Sequence, residues 1–294
     1  MTASLFVLGA TGQIGFHLRR RIGPERAALL LARHVPGGSD GFAWGESDLA
    51  QPVRFPALPP AGIATVPIWL LPPHFDALAA AGMRRLVAFS TTSIFGKAGT
   101  RNAAERRQID AVIAAERSLG AAAASARIGL TVLRPALIYG AGRDAGVTQA
   151  ARFIRRFGWY PLWGRAMGLR QPVHADDLAA AALALADRAD LAGRAFNLGG
   201  GDTLPYREMI GRIFDALDRP RRFLPVPGLP WAAAACARLG GPATLTADAV
   251  RRMNRDLAFD DGTAAREFGY SPRGFLAGGR ADLTGDCAEL VNRG

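Results

Sequence analysis

The fold is decided by residues 5–18, which read Leu5-Phe6-Val7-Leu8-Gly9-Ala10-Thr11-Gly12-Gln13-Ile14-Gly15-Phe16-His17-Leu18. The apolar start predicts a short strand, and the apolar periodicity after the glycines predicts a helix. Glycines at this spacing let the backbone turn sharply, approach a phosphate without a Cβ in the way, and pack the helix closely on the strand. The N–H groups of the helix then point at an anion. The stretch therefore predicts a dinucleotide-binding loop, against the alternative of an ordinary glycine-rich turn. The residues expected to contact the dinucleotide here are Gly9, Thr11, Gly12, Gln13, Ile14 and Gly15.

The chain is strongly basic: it has 294 residues, of which 49% are hydrophobic, and a formal net charge of +11. Such a charge alone would favour an anionic partner. The excess is almost entirely arginine, because Lys97 is the only lysine, and the arginines are scattered rather than gathered into one tract. A solvated, arginine-rich surface therefore explains the charge better than a nucleic-acid groove, and a small phosphorylated ligand is compatible with it.

The two cysteines, Cys236 and Cys287, stand far apart and outside any metal-ligand spacing. This spacing predicts neither a disulfide framework nor a metal site. The sequence enters its first strand with no charged leader or cleavage site, and the longest apolar run, residues 229–239, is short and interrupted by Arg238. We therefore expect a cytoplasmic protein without a membrane span.

Short apolar runs alternate with helical segments over the first half of the chain. The strands predicted after the first are residues 28–32, 41–44, 64–71, 86–90 and 129–133, with a long helix from about 103 to 124. Pro67 lies in the fourth run, so that strand either begins after Pro67 or the stretch is a loop that lines the cofactor. Residues 134–140 are expected to leave the sheet. The alternation predicts an α/β fold, a Rossmann-like doubly wound parallel sheet with right-handed crossovers.

The second half of the chain changes character, with aromatic and proline-rich stretches, several helices and few strands. We interpret it as a smaller, mainly helical C-terminal substrate lobe. The predicted division is residues 1–145 for a dinucleotide-binding domain and residues 146–294 for the substrate lobe. The two are expected to interleave, with segments near residues 170–200 returning to the first domain.

Further cofactor contacts are expected after the second and third strands. Arg33 follows the run 28–32, at a point where an acidic residue suits NAD and an arginine suits a 2′-phosphate. Arg33 therefore favours NADP(H) over NAD(H), and the other interpretation is a strand-end arginine on an arginine-rich surface. Asp48 and Leu49 stand where such folds approach the adenine.

A run of hydroxyl residues, Ser90 to Ser93, follows the fifth strand. Open α/β sheets bind ligands beyond the carboxyl ends of their strands, so these hydroxyls are better placed than most others. Ser90 is accordingly expected to contact the cofactor.

Five motifs carry a family resemblance: Gly9-Ala10-Thr11-Gly12-Gln13-Ile14-Gly15, Phe89-Ser90-Thr91-Thr92-Ser93-Ile94-Phe95-Gly96, Leu133-Arg134-Pro135 through Tyr139-Gly140, Pro172-Val173-His174-Ala175-Asp176-Asp177-Leu178-Ala179, and Phe196-Asn197-Leu198-Gly199-Gly200. They resemble the extended short-chain dehydrogenase/reductase superfamily, especially its NAD-dependent epimerase/dehydratase group, which acts on nucleotide sugars. The resemblance covers most of the chain. It implies that Arg134 and Pro135 contact the nicotinamide side of the cofactor.

The resemblance also implies a Tyr-x-x-x-Lys pair on the helix after the fifth strand, which exchanges the proton of the substrate hydroxyl. This chain departs from that pattern. With Glu116 aligned to the glutamate that follows the family's lysine, Gln108 takes the tyrosine position and Val112 takes the lysine position. Neither side chain can perform that proton transfer. Thr92 is left as the candidate catalytic hydroxyl, although a lone hydroxyl is no general base at neutral pH.

Other acids and bases offer weaker replacements. Glu105 and Asp110 lie on the predicted long helix, where solvated surface charge is the favoured interpretation. His174 is interpreted as a structural histidine, and the adjacent Asp176 and Asp177 as residues that begin a helix.

Three hypotheses follow for the function. The first is an NAD(P)-dependent epimerase, dehydratase or reductase that acts on a nucleotide sugar or related substrate with an altered proton relay. The second is a catalytically silent NADP(H)-binding structural or accessory subunit, like the nucleotide-binding accessory subunit of respiratory complex I. The third is an NmrA-like redox sensor. Family resemblance also makes a homodimer an expectation.

Overall fold

The computed structural model describes residues 4–23, 27–37, 41–97, 99–100, 102–226 and 251–284. Its strands are β1 (Leu5–Leu8), β2 (Ala28–Ala32), β3 (Ala43–Glu46), β4 (Ala61–Ala64), β5 (Arg85–Phe89), β6 (Gly129–Pro135), β7 (Leu137–Tyr139), β8 (Tyr160–Trp163), β9 (Leu169–Arg170), β10 (Pro172–His174), β11 (Ala195–Leu198), β12 (Leu204–Pro205) and β13 (Phe223–Val226). Its α-helices are α1 (Gln13–Ile22), α2 (Phe75–Ala80), α3 (Ser93–Gly96), α4 (Ala103–Ala126), α5 (Val147–Phe157), α6 (Ala175–Ala186), α7 (Tyr206–Ala216), α8 (Gly262–Phe268) and α9 (Ala281–Thr284).

Seven parallel strands form the central sheet in the order β11-β6-β5-β4-β1-β2-β3. The order reverses at β1, so the chain winds out from the centre of the sheet in both directions. This arrangement confirms the predicted Rossmann-like doubly wound fold. The carboxyl ends of all seven strands lie at one edge of the sheet, where such folds hold their ligands.

The fourth strand differs from the expected residues 64–71. β4 ends at Ala64, and residues 68–74 form two 3₁₀ turns. β4 is paired with β1 on one side and β5 on the other, so its N–H groups are needed for pairing, and Pro67 has none. The loop alternative for this stretch is therefore the correct one.

The sixth strand is longer than expected. Arg134 and Pro135 do not leave the sheet, because β6 continues to Pro135 and pairs with Leu198 of β11 there. β7 then starts a separate two-stranded pair with β10. Residues 160–226 also contain more strands than expected, since β8 pairs with β13 and β9 pairs with β12. These pairs are too short to show the alternation that identifies a strand from sequence.

Hydrophobic residues cover both faces of the sheet. One face packs on α1 and α6, and the other packs on α2 and α4. A third cluster lies around β7, α5, β8 and α7 and forms the core of the second region. No helix in the described ranges has both the length and the apolar character needed to cross a bilayer. Cys236, Cys287 and the apolar run 229–239 lie outside the described residues.

Charged side chains link the two regions at the start of α6. Arg21 of α1 donates from Nε and Nη2 to the Asp176 carboxylate at 2.7 and 2.8 Å. Arg273 donates from Nη2 to Asp176 at 2.5 Å and from Nε to Asp177 at 2.9 Å. Both aspartates lie in the first turn of α6, as expected, and the added ion pairs could not be inferred from their spacing. The burial of Asp176 opposes ionisation, but hydrogen bonds from Arg21 and Arg273 outweigh it and lower the pKa of its carboxyl to about 2.

Beside this network, the half-buried His17 and the buried His174 lie with their ring centroids 5.2 Å apart. His174 is structural in the way expected, since its Nδ1 accepts the Asp176 N–H and caps α6. Burial lowers the pKa of His17 to about 4, and the neighbouring His174 lowers it further than burial alone would.

This histidine predicts a loss of stability in mild acid. Between pH 6.5 and 4, His17 is protonated in the unfolded chain but not in the folded chain. The contribution of His17 to the free energy of unfolding is therefore complete above pH 6.5 and is lost as the pH falls below it. From pH 7 to 4.5 the free energy of unfolding is expected to fall by about 2 to 3 kcal/mol through this residue. Urea denaturation of the wild type and of His17→Leu at both pH values measures it. The His17→Leu variant should lose less stability in acid, whereas a His34→Leu control at an exposed position should behave as wild type. Equal acid losses in all three proteins would contradict the prediction.

Candidate functional site

The glycine loop between β1 and α1 has no room for side chains at critical points. Gly9 has a φ of +81°, and its N–H donates to the Leu31 carbonyl at 2.9 Å. A Cβ on Gly15 would lie 2.4 Å from the Gly9 carbonyl oxygen, so α1 approaches the strand end only with glycine there. Gly12 is the N-cap of α1 and supplies no side-chain cap, which leaves the helix N–H groups directed at the space beyond the loop.

Residues near position 140 brace this loop, a contact that the sequence does not reveal. Gln13 Nε2 donates to the Gly140 carbonyl at 2.6 Å, and Arg143 Nη1 donates to the Thr11 carbonyl at 2.8 Å. Arg143 is exposed, so its guanidinium adds positive charge beside the loop.

Arg33, Asp48 and Leu49 lie at the same edge of the sheet as the glycine loop, because β1, β2 and β3 are parallel neighbours. Arg33 directly follows Ala32, the last residue of β2, and its side chain is exposed. Asp48 is half-buried, and its Oδ1 accepts the Ala50 N–H at 3.1 Å. Leu49 is buried, with its carbonyl 3.0 Å from His74 Nε2.

A groove of about 320 Å³ lies at the carboxyl ends of β4, β5 and β6, beside the first turn of α1. The structure brings together here five residues that the sequence analysis singled out: Ile14, Ser90, Gln108, Val112 and Pro135. The groove is also lined by Thr91 and Ser93 of the predicted hydroxyl run, and by Thr65, Val66 and Trp69 of the stretch whose loop alternative lines the cofactor. Lys97, to which the sequence analysis gave no role, lines it as well. Thr65 and Val66 carry no motif and reach the groove only because β4 ends earlier than expected.

A charged cluster lies beneath the groove, where Glu116 of α4 meets Arg134 of β6. Arg134 Nε lies 3.0 and 3.2 Å from the two Glu116 oxygens, and its Nη2 donates to Oε2 as well. Ser90 donates its hydroxyl to Glu116 Oε1. Glu116 and Arg134 are 12% and 22% exposed in their side chains, so the pair is shielded from water on most sides. Arg134, expected to contact the cofactor, is therefore engaged with Glu116 and supports the groove from below.

The hydroxyl residues after β5 point in different directions. Thr92 is buried, and both its N–H and its Oγ1 donate to the Pro135 carbonyl, at 3.0 and 3.1 Å. Thr91 Oγ1 accepts the Ser93 N–H at 3.1 Å and donates to Ser93 Oγ at 3.0 Å. Thr91 and Ser93 therefore present hydroxyls to the groove, while the hydroxyl proton of Thr92 is committed to the backbone.

A second cavity of about 370 Å³ adjoins the groove and is lined by both regions of the protein. Arg170 is 6% exposed on its wall and donates to the carbonyls of Leu169, Arg255 and Arg252 at 2.7, 2.9 and 2.6 Å. Burial lowers the pKa of its guanidinium to about 10. No carboxylate in the described ranges forms a salt bridge with Arg170. Its hydrogen bonds in the described ranges go to backbone carbonyls and not to a carboxylate, which suits a cavity that takes an anion.

Two tyrosines stand beside Arg170. The hydroxyls of Tyr160 and Tyr206 lie 3.1 Å apart, and the Arg170 guanidinium carbon lies 5.3 Å from the Tyr206 ring centroid. Burial raises the pKa of the Tyr206 hydroxyl. Tyr206 therefore acts as a neutral hydrogen-bonding group at ordinary pH, with the Tyr160 hydroxyl as its partner.

The groove and the cavity share a wall formed by Ser93 and Lys97. Lys97 Nζ lies 3.3 Å from Glu105 Oε1, and Arg252 donates from Nη1 and Nη2 to the same carboxylate at 3.0 and 3.1 Å. Burial acts to raise the pKa of Glu105, but hydrogen bonds from Thr100 and Arg252 and the charges of Lys97 and Arg252 hold it below its usual value. Glu105 is thus a partly buried ion-pair residue, and Asp110 is exposed on the same helix.

Comparisons with known proteins agree with this geometry. Residues 74–199 match the model of the "NAD dependent epimerase/dehydratase family". A subunit of NADH dehydrogenase, 1 alpha subcomplex subunit 9 of Arabidopsis thaliana, is 31% identical over 98 residues, which are 33% of this chain and 24% of that protein. UDP-glucose 4-epimerase of Vibrio cholerae is 26% identical over 158 residues, 54% of this chain and 46% of the epimerase. The chain therefore spans a quarter to about half the length of these relatives.

Among solved structures, MoeE5 in complex with UDP-glucose and NAD superposes with a TM-score of 0.73 at 18% identity, covering 99% of this chain and 100% of that one. Identity at this level supports the fold alone, and the family model adds the sequence evidence over the segment that contains β5, α4, β6 and α6. Residues 74–199 are therefore similar to the NAD-dependent epimerase/dehydratase family, and the described chain has the Rossmann-like fold of MoeE5.

Proposed function

We propose that the chain binds a nicotinamide dinucleotide along the groove and a phosphorylated substrate of the nucleotide-sugar class in the adjoining cavity. The observation that carries the proposal is that the two spaces meet at Ser93 and Lys97, at the edge of the sheet where the glycine loop lies. The loop fits the dinucleotide, since it presents bare backbone at Gly9 and uncapped N–H groups at the start of α1. In this proposal residues 1–145 hold the dinucleotide and residues 146–294 form the substrate lobe, with β11 returning to the sheet.

The substrate class is supported by the cationic wall of the cavity. Arg170 lacks a carboxylate partner among the described residues, so an anionic group of the ligand would neutralise it. MoeE5, whose fold this chain shares, is described with UDP-glucose, a diphosphate-linked sugar. Tyr160 and Tyr206 beside Arg170 offer hydroxyls to the polar part of the same ligand.

A bound nicotinamide would supply or accept a hydride at the substrate carbon. The protein must then handle the matching proton, and in this groove Gln108 and Val112 offer no titratable group for that step. Thr91 and Ser93 are placed to orient a substrate oxygen by hydrogen bonding, with the buried Thr92 fixing the turn on which they stand. The reaction class we propose is sugar epimerisation, dehydration or reduction with a proton route different from the Tyr-Lys pair.

Product analysis tests the activity. The protein, with NAD(H) or NADP(H), is incubated with a panel of UDP- and dTDP-sugars, and products are separated and identified by mass spectrometry and NMR. Absorbance alone is not decisive, because an epimerase regenerates its cofactor in each turnover. A new sugar nucleotide formed only in the presence of the protein supports the enzyme.

A second candidate function is a silent dinucleotide-binding subunit of a larger assembly. Two observations favour it: the apolar Val112 and the amide Gln108 on the groove wall, and the 31% identity over 98 residues with a subunit of NADH dehydrogenase. Tight dinucleotide binding with no product from any sugar nucleotide in the panel would support this candidate over the enzyme.

Cofactor choice rests on Arg33, and its replacement gives a direct prediction. We expect NADPH to bind at least about tenfold more tightly than NADH, because a guanidinium-phosphate hydrogen bond contributes about 1.5 to 3 kcal/mol. In Arg33→Ala this preference should disappear while NADH binding is unchanged, as measured by isothermal titration calorimetry. Arg117→Ala, at an exposed position on α4, is the control and should keep the preference. A preference that is the same in Arg33→Ala and wild type would remove this role from Arg33.

A further inference from the structure

Lys97 is the only lysine in a chain whose other positively charged side chains are arginines. The two residue types differ in a way that matters for chemistry, because an ammonium group can give up a proton and a guanidinium group remains protonated. Among the described residues of the groove wall, Lys97 is the one amine, and no carboxylate lines that wall. The lysine therefore stands out by type as well as by place.

Its place is the junction of the two spaces. Besides Ser93, Lys97 is the residue that lines both the groove and the cavity. An atom that receives a hydride from a dinucleotide in the groove while belonging to a ligand in the cavity must lie at this junction. A side chain in the shared wall is closer to that atom than one in either space alone.

Its charge is held in place by neighbours. Glu105 Oε1 lies 3.3 Å from Lys97 Nζ, and Glu105 is itself fixed by a 2.8 Å bond from the Thr100 hydroxyl and by Arg252. The side chain of Lys97 is 29% exposed, so the amine has both a carboxylate partner and access to water. An ammonium group in such a setting can donate a proton and recover one from solvent.

We propose that Lys97 is the proton donor of this site, acting on the substrate oxygen in the reductive half of the reaction, with Glu105 as its positioning residue. This inference rests on the proposed function. As the substrate carbonyl carbon gains a hydride from a reduced nicotinamide dinucleotide, its C=O π bond breaks and the oxygen takes one proton from the Lys97 ammonium. The products are an alcohol, the oxidised dinucleotide and a neutral amine, which regains its proton from water. In the oxidative half, the amine starts neutral after releasing its proton to water, and it takes the proton of the substrate hydroxyl as the carbon gives its hydride to the oxidised dinucleotide.

Because the chain has one lysine, its amine can be observed selectively. Reductive methylation with ¹³C-formaldehyde labels Lys97 and the amino terminus of the expressed chain, and Lys97→Arg identifies the lysine signal by its loss. We expect NADPH and, separately, UDP to shift the Lys97 methyl resonance along the same saturation curves that calorimetry gives for binding. The terminal amine signal is the internal control. If the dinucleotide binds and neither ligand shifts the Lys97 signal, the inference fails and the proposed function stands. If no dinucleotide binds, both fail.

Turnover then separates proton donation from charge. For the sugar nucleotide converted by the wild type, Lys97→Met and Lys97→Arg are both expected to lower kcat by about 100-fold or more, with smaller changes in KM. Lys97→Arg keeps the positive charge beside Glu105 and cannot donate readily, so it is the matched control. Full turnover in Lys97→Arg would show that only charge is needed and would overturn the proposal, as would a wild-type protein that binds both ligands and converts no sugar.

Discussion

A Gly15→Ala variant is expected to lose dinucleotide binding, because its new methyl group has no space. The Cβ would lie 2.4 Å from the Gly9 carbonyl oxygen, 2.6 Å from the Ala10 carbonyl carbon and 2.7 Å from the Ala10 oxygen. All three are backbone atoms of the loop, so relief requires α1 to move away from β1. We expect a loss of about 2 to 3 kcal/mol in the free energy of unfolding, as for an overpacked core position. Movement of the helix N-terminus and loop should also weaken dinucleotide binding by at least about 100-fold.

Gly120→Ala is the matched control for this substitution. Gly120 is an exposed glycine within α4, and a Cβ there would meet nothing within 4 Å. Alanine should raise the free energy of unfolding by up to about 1 kcal/mol through its higher helix propensity. Urea denaturation and calorimetry with NADPH on both variants measure the two effects. Normal NADPH affinity in a folded Gly15→Ala protein would contradict the role given to the loop.

The glycine loop was accessible from sequence because its signal is local. A strand, three glycines and a helix occupy residues 5–18, and each glycine meets a constraint set by neighbours within that stretch or the adjoining strands. The order of the parallel strands follows from the same logic of alternation and right-handed crossovers. The strand ends differ from the expected ones where pairing on both sides of a strand sets its end, as at Ala64 of β4 and Pro135 of β6.

The site beyond the loop depends on contacts between distant segments, which no spacing rule reports. Arg170 and Arg252 are 82 residues apart in the chain and meet on one cavity wall. Lys97 precedes α4, the helix on which the family resemblance implies a lysine, yet it lines the groove because it directly follows α3. The sequence offered one indication of its role: Lys97 is the only lysine in an arginine-rich chain. That observation concerns proton transfer and does not predict where the residue lies in the fold.

The charged cluster under the groove shows the same limit. In the sequence, Glu116 only aligns the long helix with the family's Tyr-x-x-x-Lys pattern. Its position along the chain does not indicate which residue its carboxylate contacts. In the structure it accepts hydrogen bonds from Arg134 of β6 and Ser90 after β5, so one carboxylate joins a helix to the ends of two neighbouring strands. Both strands end at the groove, which makes the cluster a support for the candidate site.

Replacing Glu116 with alanine is therefore expected to destabilise the protein and to weaken binding in the groove. Arg134 would keep its charge with 22% of its side chain exposed and would lose its bidentate partner, while Ser90 would lose its acceptor. Breaking a buried pair by removing one partner costs about 3 to 5 kcal/mol, and partial exposure of Arg134 places the expected loss at about 2 to 4 kcal/mol. Because Ser90 lines the groove, NADPH affinity should fall as well.

The control is Asp110→Ala on the same helix, where the carboxylate is exposed and the change in the free energy of unfolding should stay within about 0.5 kcal/mol. The double variant Glu116→Leu with Arg134→Met separates charge from packing. It removes both charges at once, so no unpaired guanidinium remains, and it should recover much of the stability that Glu116→Ala loses. Its NADPH affinity should nevertheless stay below that of the wild type, because Ser90 is no longer oriented. Chemical denaturation and calorimetry are carried out on the wild type, Glu116→Ala, Asp110→Ala and the double variant. If the double variant is no more stable than Glu116→Ala, the loss in the free energy of unfolding comes from altered packing and not from the unpaired charge of Arg134.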